Sequence, residues 1–375
     1  MNCKNATVCG GCKYRHLEET EYRALKEKMF KQCLAELKDQ SYKLNNPVYI
    51  CDGCRRRVSF AFEYKKKKLV LGFNREASTE IIDIEECPLA DAKINGIIPQ
   101  LKKLILSLCQ EVYNERQGKK IIQRNINSGD VFVCTADNGL DIVLEFQSAL
   151  QITHRMIISE FCNAEPEVIR VSHRQSSADE AETIVEKVKP YVKMGNYEIY
   201  VPAGTFLQPS KQGQETLGNL VLKYLKDVKG HIADLFCGVG TFSYLLAQNP
   251  SVKITAADSS KSLLQGFKES VCKNRITNID VINKNLFKYP FSAEELKDFT
   301  AVVFDPPRAG AKAVCRELAK AAEKPERVVA ISCNPHTFIN DANTLIEGGY
   351  KLCEITMVDQ FIYSNHSELV AFFTK

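Results

Sequence analysis

The sequence predicts a two-part α/β protein whose C-terminal part is a Rossmann-like domain with a parallel, doubly wound sheet. Three observations carry that expectation. After Gln208 the pattern becomes regular, with strand-like segments alternating with helix-like ones. A glycine turn, Gly238-Val239-Gly240, joins the first of those strands to its helix. The residues before Gln208 instead show β-rich stretches around isolated helices, the pattern of an α+β domain.

The elements follow in order. Glu18 to Leu37 reads as one amphipathic helix, with Tyr22, Leu25, Met29 and Cys33 on one stripe and Phe30, Leu34 and Leu37 beside it. VSFAFEYKKKKLVLGFN reads as two strands joined by a basic turn, and Ile94 to Glu115 returns to helical periodicity. Two more β-rich stretches follow, VFVCTADNGLDIVLEF and EIYVPAGTFLQ, separated by a helix-like and a charged segment. Then come helix QGQETLGNLVLKYLKDV, strand HIADLF, the glycine turn and its helix, strand KITAAD, helix KSLLQGFKESVCKN and strands IDVIN and AVVFD. Helix KAVCRELAKAA, strand RVVAIS, helix FINDANTLIEG and C-terminal strands complete the chain. No internal repeat or low-complexity segment interrupts this order.

Composition removes several classes. No apolar run reaches the length of a membrane span, and the N-terminus MNCKNATVCGGCKYRH has no apolar signal region, so the expected location is cytoplasmic, with no membrane partner. Fifteen cysteines in such a chain are unlike a disulfide framework. A net charge of +4 does not by itself mark a nucleic-acid binder. Local clustering is more informative: Arg55, Arg56 and Arg57, then Lys65 to Lys68, form a patch suited to phosphate or, equally, a lysine-protected hairpin edge.

The glycine turn sits in Asp234-Leu235-Phe236-Cys237-Gly238-Val239-Gly240-Thr241-Phe242. Asp258 ends the next strand, about 20 residues on, where a carboxylate binds ribose hydroxyls. Ser243 takes the third glycine slot of the dinucleotide fingerprint, which disfavours a pyrophosphate and favours S-adenosylmethionine: ribose, adenine and sulfonium. Asp305-Pro306-Pro307-Arg308 ends a later strand with an arginine where methylases of exocyclic amines carry a base-stacking aromatic. Ser332-Cys333-Asn334-Pro335 puts a cysteine at another strand end, and Glu368 precedes the last strand. A thiolate adding to uracil C6 makes C5 nucleophilic, and a base must then remove the C5 proton. One Cys, one base and one methyl-donor site meet that requirement.

The combination DLFCGVGTF, FDPPRAG, SCNPHTF and HSELV resembles the RNA uracil-5-methyltransferase family over nearly the whole chain, in the family's order. The resemblance implies Cys333 as nucleophile and Glu368 as proton acceptor, with Gln208, Phe236, Asp258, Asn285 and Asp305 lining the methyl-donor site. Asp258 stands where glutamate is usual, and the motif NKN offers two asparagines for the Asn285 role.

Cys3, Cys9 and Cys12 with the distant Cys87-Pro88 have the spacing of an iron–sulfur site, while Cys9, Cys12, Cys51 and Cys54 would make a rival zinc ribbon. The resemblance implies the former: a structural [4Fe–4S] cluster on Cys3, Cys9, Cys12 and Cys87, as in members that methylate 23S rRNA. It also implies a non-sequential layout. Residues 1–14 and 47–202 would form an RNA-binding domain carrying the cluster, and residues 15–46 and 203–375 the methyltransferase domain. No N-terminal β-barrel is expected, because Cys3 stands at the very start, and this points to the shorter bacterial 23S rRNA enzyme. The expected partner is RNA, with no obligate protein partner. The alternatives are the same chemistry on a tRNA T-loop uridine and a non-catalytic iron–sulfur RNA-binding protein.

Overall fold

The computed structural model describes residues 3–117 and 120–375. The chain forms two compact units: one through His16, with Asp52–Val192 and Val201–Ser210, the other from Leu17–Cys51, Lys193–Tyr200 and Lys211–Lys375. Local bonding explains the short exchange near residue 200. Tyr200 N–H donates to Ser270 Oγ at 2.9 Å, and Asn274 Nδ2 to the Glu198 carbonyl at 2.8 Å, so Lys193–Tyr200 joins the second unit. The Pro209 carbonyl accepts from Arg56 N–H at 2.8 Å and that of Gln208 from Arg56 Nε at 3.0 Å, so Val201–Ser210 joins the first.

The first unit holds a seven-stranded sheet in the order Glu182–Glu186, Val168–Arg174, Gly139–Glu145, Ser128–Ala136, Arg57–Lys65, Lys68–Asn74, Ile81–Asp83. Every pairing is antiparallel except that of Gly139–Glu145 with Val168–Arg174, whose crossover is the helix Ile152–Ala164. Alternation in Arg57–Lys65 sends Val58, Phe60 and Phe62 inward, onto Ile94, Ile98, Leu101 and Ile105 of the helix Ala92–Gln110. That helix begins at Asp91, whose side chain accepts from Ile94 N–H at 2.9 Å. It stops at Gln110, short of the expected Glu115, because Tyr113–Gln117 and Lys120–Arg124 pair as a hairpin. The charged segment after Ala164 contains a fully formed strand, Val168–Arg174. Arg170 there is completely buried and forks onto Asp141 at 2.9 and 2.7 Å, so its charge disguises an interior strand.

The second unit is a nine-stranded sheet. Its strand order runs Lys43–Leu44, Lys351–Asp359, Glu368–Thr374, Arg327–Ser332, Ala301–Phe304, Gly230–Leu235, Val252–Asp258, Ile279–Asn283, with Val48–Tyr49 also paired to Lys351–Asp359. The five strands from Gly230 to Ser332 are parallel. They are joined by α-helices except between Ile279–Asn283 and Ala301–Phe304, where the connection carries only the short 3-10 helix Glu295–Asp298. Glu368–Thr374 alone runs against both neighbours. Chain order reverses between Gly230–Leu235 and Ala301–Phe304, the crevice where open α/β sheets bind ligands. The N-terminal helix, Glu19–Leu34, buries Tyr22, Phe30 and Leu34; Phe30 and Leu34 join the core that contains Phe338, Ile339 and Leu345 of Pro335–Glu347.

Among the described residues no helix is long and apolar enough to cross a membrane. The buried Arg170–Asp141 pair gives the first prediction. Asp141→Ala removes the forked carboxylate from a fully buried guanidinium that also contacts the partly exposed Glu186 and the Val201 carbonyl, and should cost about 3–5 kcal/mol in urea denaturation. Exposed Arg155–Glu182, broken by Glu182→Ala, should cost less than about 1 kcal/mol.

Candidate active site

The carboxyl ends of the parallel strands gather most of the sequence-predicted residues. Phe236, Cys237 and Gly238 follow Gly230–Leu235, Asp258 ends Val252–Asp258, Asn285 follows Ile279–Asn283, Asp305 follows Ala301–Phe304 and Cys333 follows Arg327–Ser332. Glu368 arrives by the opposite route. Ser332 pairs with Leu369, so one step further along each antiparallel chain brings Cys333 and Glu368 to the same end of the sheet.

At the glycine turn Gly238 has φ 55° and a Cβ there would meet open space, whereas Gly240 has φ 91° and a Cβ would strike the Phe267 ring at 2.4 Å. Gly238 thus leaves room beside the backbone, and Gly240 lets the turn close onto its neighbouring helix. Phe236 itself lies in the left-handed region, φ 59°, and its ring tilts against Phe287 at 5.2 Å. Asp258 accepts from Gly238 N–H at 3.1 Å and from Ser260 N–H at 2.9 Å, which fixes its carboxylate while leaving lone pairs for a ligand hydroxyl. Ser243, in place of the third glycine, donates to Asp234 at 2.6 Å. The other Asp234 oxygen is buried without a hydrogen-bond partner, and burial pushes that carboxyl up to about 7. The Asn285 side-chain oxygen caps its own turn, accepting from Phe287 and Lys288 N–H, both at 3.1 Å, while Asn283 holds the Ser259 carbonyl at 3.0 Å. Gln208 belongs to the first unit, where it is buried.

Cys333 is held in a tight turn. Asn334 N–H donates to Ser332 Oγ at 3.2 Å, and Ser332 Oγ donates to the Asn334 carbonyl at 3.1 Å. Asn334 Nδ2 and Thr337 Oγ1 both donate to the Arg308 carbonyl, at 3.1 and 3.3 Å, tying the Asp305–Arg308 segment to the cysteine. Arg308 in turn lies 3.2 Å from His366 Nε2. The Cys333 thiol is pushed up to about 11, by burial first, then by the Glu368 and Asp305 carboxylates, with Arg308 opposing. Burial and the two carboxylates thus favour the neutral thiol over the thiolate at Cys333.

Glu368 is 2% exposed, accepts from Gln360 Nε2 at 2.8 Å, and has its second oxygen buried without a hydrogen-bond partner. Burial and then the Asp305 charge push it up to about 8, against the pull of Gln360. Gln360 was not legible in the sequence: it lies in no motif, and only the folded loop brings it to Glu368.

The four predicted metal cysteines, Cys3, Cys9, Cys12 and Cys87, line one cavity of about 230 Å³ in the first unit. Burial first, and then the charges of Cys87, Cys9 and Cys3, push Cys12 upward, with Arg15 opposing. Gly11 N–H donates to Cys9 Sγ at 3.4 Å, and the turn is laced to the sheet by Gly10 N–H to the Asn74 carbonyl at 2.9 Å. Cys51 and Cys54, the rival zinc pair, are disulfide-bonded. Among the described residues no three His, Cys, Asp or Glu side chains are gathered for one metal ion.

The arginines of the predicted phosphate patch point elsewhere. Arg56 is buried on the Gln208 carbonyl, Arg57 donates to the Leu207 carbonyl at 3.2 Å and stacks on Phe206, and Arg55 lines the cysteine cavity. Lys65 to Lys68 remain exposed, with Lys66 and Lys67 forming the hairpin turn at φ 51° and 63°.

Glu368 gives a test of this electrostatic picture. The folded state holds its proton more tightly than an unfolded chain does, so its stabilisation is complete below about 4.5 and lost as pH rises through about 8. Glu368→Gln has no proton to lose. Its melting temperature should gain on wild type progressively between about pH 5 and pH 9, and parallel curves would show Glu368 ionised throughout.

Comparison with known proteins adds three findings. The family model described as tRNA (uracil-5-)-methyltransferase matches residues 19–375. An RNA methyltransferase of Brucella suis is 34% identical, over 100% of this chain and 84% of its own, and the 23S rRNA (uracil(1939)-C(5))-methyltransferase of Vibrio vulnificus is 26% identical, over 100% and 82%. Among solved structures, the Pyrococcus abyssi tRNA (uracil-54, C5)-methyltransferase in complex with S-adenosyl-L-homocysteine superposes with a TM-score of 0.73 at 22% identity, over 97% of this chain and 86% of that one. The chain belongs to the tRNA (uracil-5-)-methyltransferase family.

Proposed function

We propose that the protein methylates C5 of a uridine in RNA, with Cys333 as nucleophile and Glu368 as base. The observation that carries this reading is the convergence of Cys333, Glu368 and Asp305 into one electrostatically interacting group at the carboxyl edge of the sheet that also bears the Gly238 turn and Asp258. A methyl donor fits the turn: the Gly238 side is open, the Asp258 carboxylate is fixed with lone pairs to spare, and Phe236 and half-exposed Phe287 offer apolar rings. Phe236, Asp258, Asn285 and Asp305 are the residues of the second unit proposed to hold it, and the family resemblance adds Gln208. S-adenosylmethionine, when bound there, supplies an electrophilic methyl group on sulfur.

The chain's own residues do the rest. The Cys333 thiol would lose its proton to solvent as Sγ bonds to uracil C6; the C5–C6 π pair would move toward C5, and C5 would take the methyl group as the bond from that methyl to the donor sulfur breaks, its electron pair staying on sulfur. The Glu368 carboxylate then takes the C5 proton, the C5–C6 double bond re-forms, and the C6–S bond breaks to release Cys333. A base near 8 is matched to proton abstraction close to neutral pH. A uridine must be turned out of its stack to expose C6.

The target we favour is 23S rRNA, on the strength of the Vibrio relative's activity. The Pyrococcus protein supports tRNA as the second reading. Methyl transfer to naked 23S rRNA fragments against tRNA separates them, and a 5-methyluridine missing from the rRNA of a deletion strain would locate the site.

The mechanism predicts different failures for its two residues. Cys333→Ala should give neither covalent complex nor product. Glu368→Gln should methylate once and stall, leaving RNA that carries labelled methyl bonded to protein on a denaturing gel. Normal turnover by Glu368→Gln would place the base elsewhere.

We also propose that Cys3, Cys9, Cys12 and Cys87 hold a [4Fe–4S] cluster that pins the N-terminal segment to the first unit's sheet. The four cysteines line one shared cavity, and four cysteine thiolates are the ligand set of such a cluster. Arg55 lines that cavity, and both it and Arg15 offset thiolate charge. Anaerobically purified protein should be brown, with about four iron and four sulfide per chain. Cys9→Ser or Cys87→Ser should bleach it and lower its melting temperature. Stoichiometric zinc without visible absorption would reject the cluster.

A further inference from the structure

The loop Gln360–Ser367 links the strand Lys351–Asp359 to Glu368, and it is bound from one side by the N-terminal helix. Lys26 is 1% exposed, a long cation inside the second unit. Its ammonium lies 3.1 Å from an Asp359 carboxylate oxygen and donates to the carbonyls of Ser364 at 3.1 Å and His366 at 2.6 Å. Tyr22, one turn earlier on the same helix, donates to the other Asp359 oxygen and accepts from Tyr363 N–H at 2.8 Å. Its ring also tilts against that of Tyr363 at 4.7 Å.

A buried Lys–Asp pair contributes little to stability compared with apolar residues of the same shape, so its stability alone does not account for it here. What this one does is fix backbone. Three loop groups, Tyr363 N–H and the Ser364 and His366 carbonyls, end on two side chains of one helix, and Asp359 at the loop's root orients both. Tyr363 is held at φ 60°, a conformation that aromatic residues adopt only when their surroundings impose it. The residues so fixed flank the reaction centre on both sides. Gln360, next to Asp359, donates to Glu368, and His366, whose carbonyl Lys26 grips, presents its ring to Arg308.

We propose that Lys26 and Tyr22, acting through Asp359, are positioning residues for Glu368: they hold the loop so that the Glu368 carboxyl stays directed at the reacting C5. This rests on the reading of Glu368 as the base. Neither residue touches the reacting atoms. Loosening the loop should leave the addition of Cys333 and methyl transfer largely intact and slow the proton removal that frees the enzyme.

The test uses full-length protein, RNA from a strain lacking the enzyme, and methyl-labelled S-adenosylmethionine. Single-turnover methyl transfer and release of RNA from the covalent complex are measured separately in wild type, Glu368→Gln, Lys26→Met and Tyr22→Phe. Tyr22→Phe keeps the ring contact and removes one hydroxyl, so it serves if Lys26→Met does not fold. We expect Lys26→Met to keep methyl transfer within about threefold and slow release at least about tenfold, with labelled covalent complex accumulating, and Tyr22→Phe to shift the same way by less. If both steps fall together, or neither changes, while Glu368→Gln traps the complex, the positioning role is overturned and the mechanism stands. If Glu368→Gln does not trap it, the assignment of the base fails and the positioning role fails with it.

Discussion

The strand Glu368–Thr374 runs against both of its neighbours in a sheet whose central strands are otherwise parallel. A parallel strand delivers its last residue to the carboxyl edge and its first to the opposite edge. A reversed strand delivers its first. This inversion is why a residue near the end of the chain can meet Cys333, and why the meeting is rigid: Glu368 begins a strand paired on both sides rather than hanging from a loop. The remaining polar residues of the site come from successive strand ends, each held by backbone or turn hydrogen bonds, as with Asp258 on Gly238 and Asn334 on Arg308.

The electrostatics follow from that crowding. Cys333, Glu368, Asp305 and Asp234 are all groups that ionise to anions in a poorly solvated corner, and Arg308 is the cation acting on Cys333. Ionising one makes it harder to ionise the next. The resting site therefore favours the protonated forms of Cys333 and Glu368. The proposed reaction uses this in order. With Glu368 protonated, one obstacle to the Cys333 thiolate is gone. Once sulfur is bonded to carbon it carries no charge, and the obstacle to ionising Glu368 falls in its turn. The two residues need not be charged together, which would be the costly state.

Much of this was legible in the sequence because each strand of the second unit is a short apolar run bounded by a helix signal, and because the motif residues lie at strand ends, which a parallel sheet brings to one edge. The first unit was harder to read. Arg170 made an interior strand look like surface, since a sequence does not show that Asp141 waits 29 positions earlier. The helical pattern from Ile94 ran on to Glu115, although Tyr113, Asn114 and Glu115 pair with Arg124, Gln123 and Ile122 across a hairpin. Arg55, Arg56 and Arg57 looked like a phosphate patch because charge clustering carries no information about direction. The carbonyl partners of Arg56 and Arg57, at Gln208 and Leu207, are some 150 residues away. Gln360 and Lys26 were silent for the same reason: their roles exist only through contacts distant in sequence or set by a loop.

The order of the chain sharpens that last point. The segment with three of the cavity cysteines belongs to the first unit, the helix that follows belongs to the second, and the chain then returns to the first before building most of the Rossmann-like sheet. The Lys26–Asp359 pair closes a loop of more than three hundred residues. Such a contact cannot guide early folding, because the entropy of closing so long a loop is recovered only when most of the intervening structure has formed. The two polar residues that the helix brings, Tyr22 and Lys26, hold three backbone groups of the Gln360–Ser367 loop. The N-terminal helix adds apolar surface to a core that is already large, through Phe30 and Leu34. Its distinctive contribution is the polar grip at its other end, where the segment leading to Glu368 takes its shape.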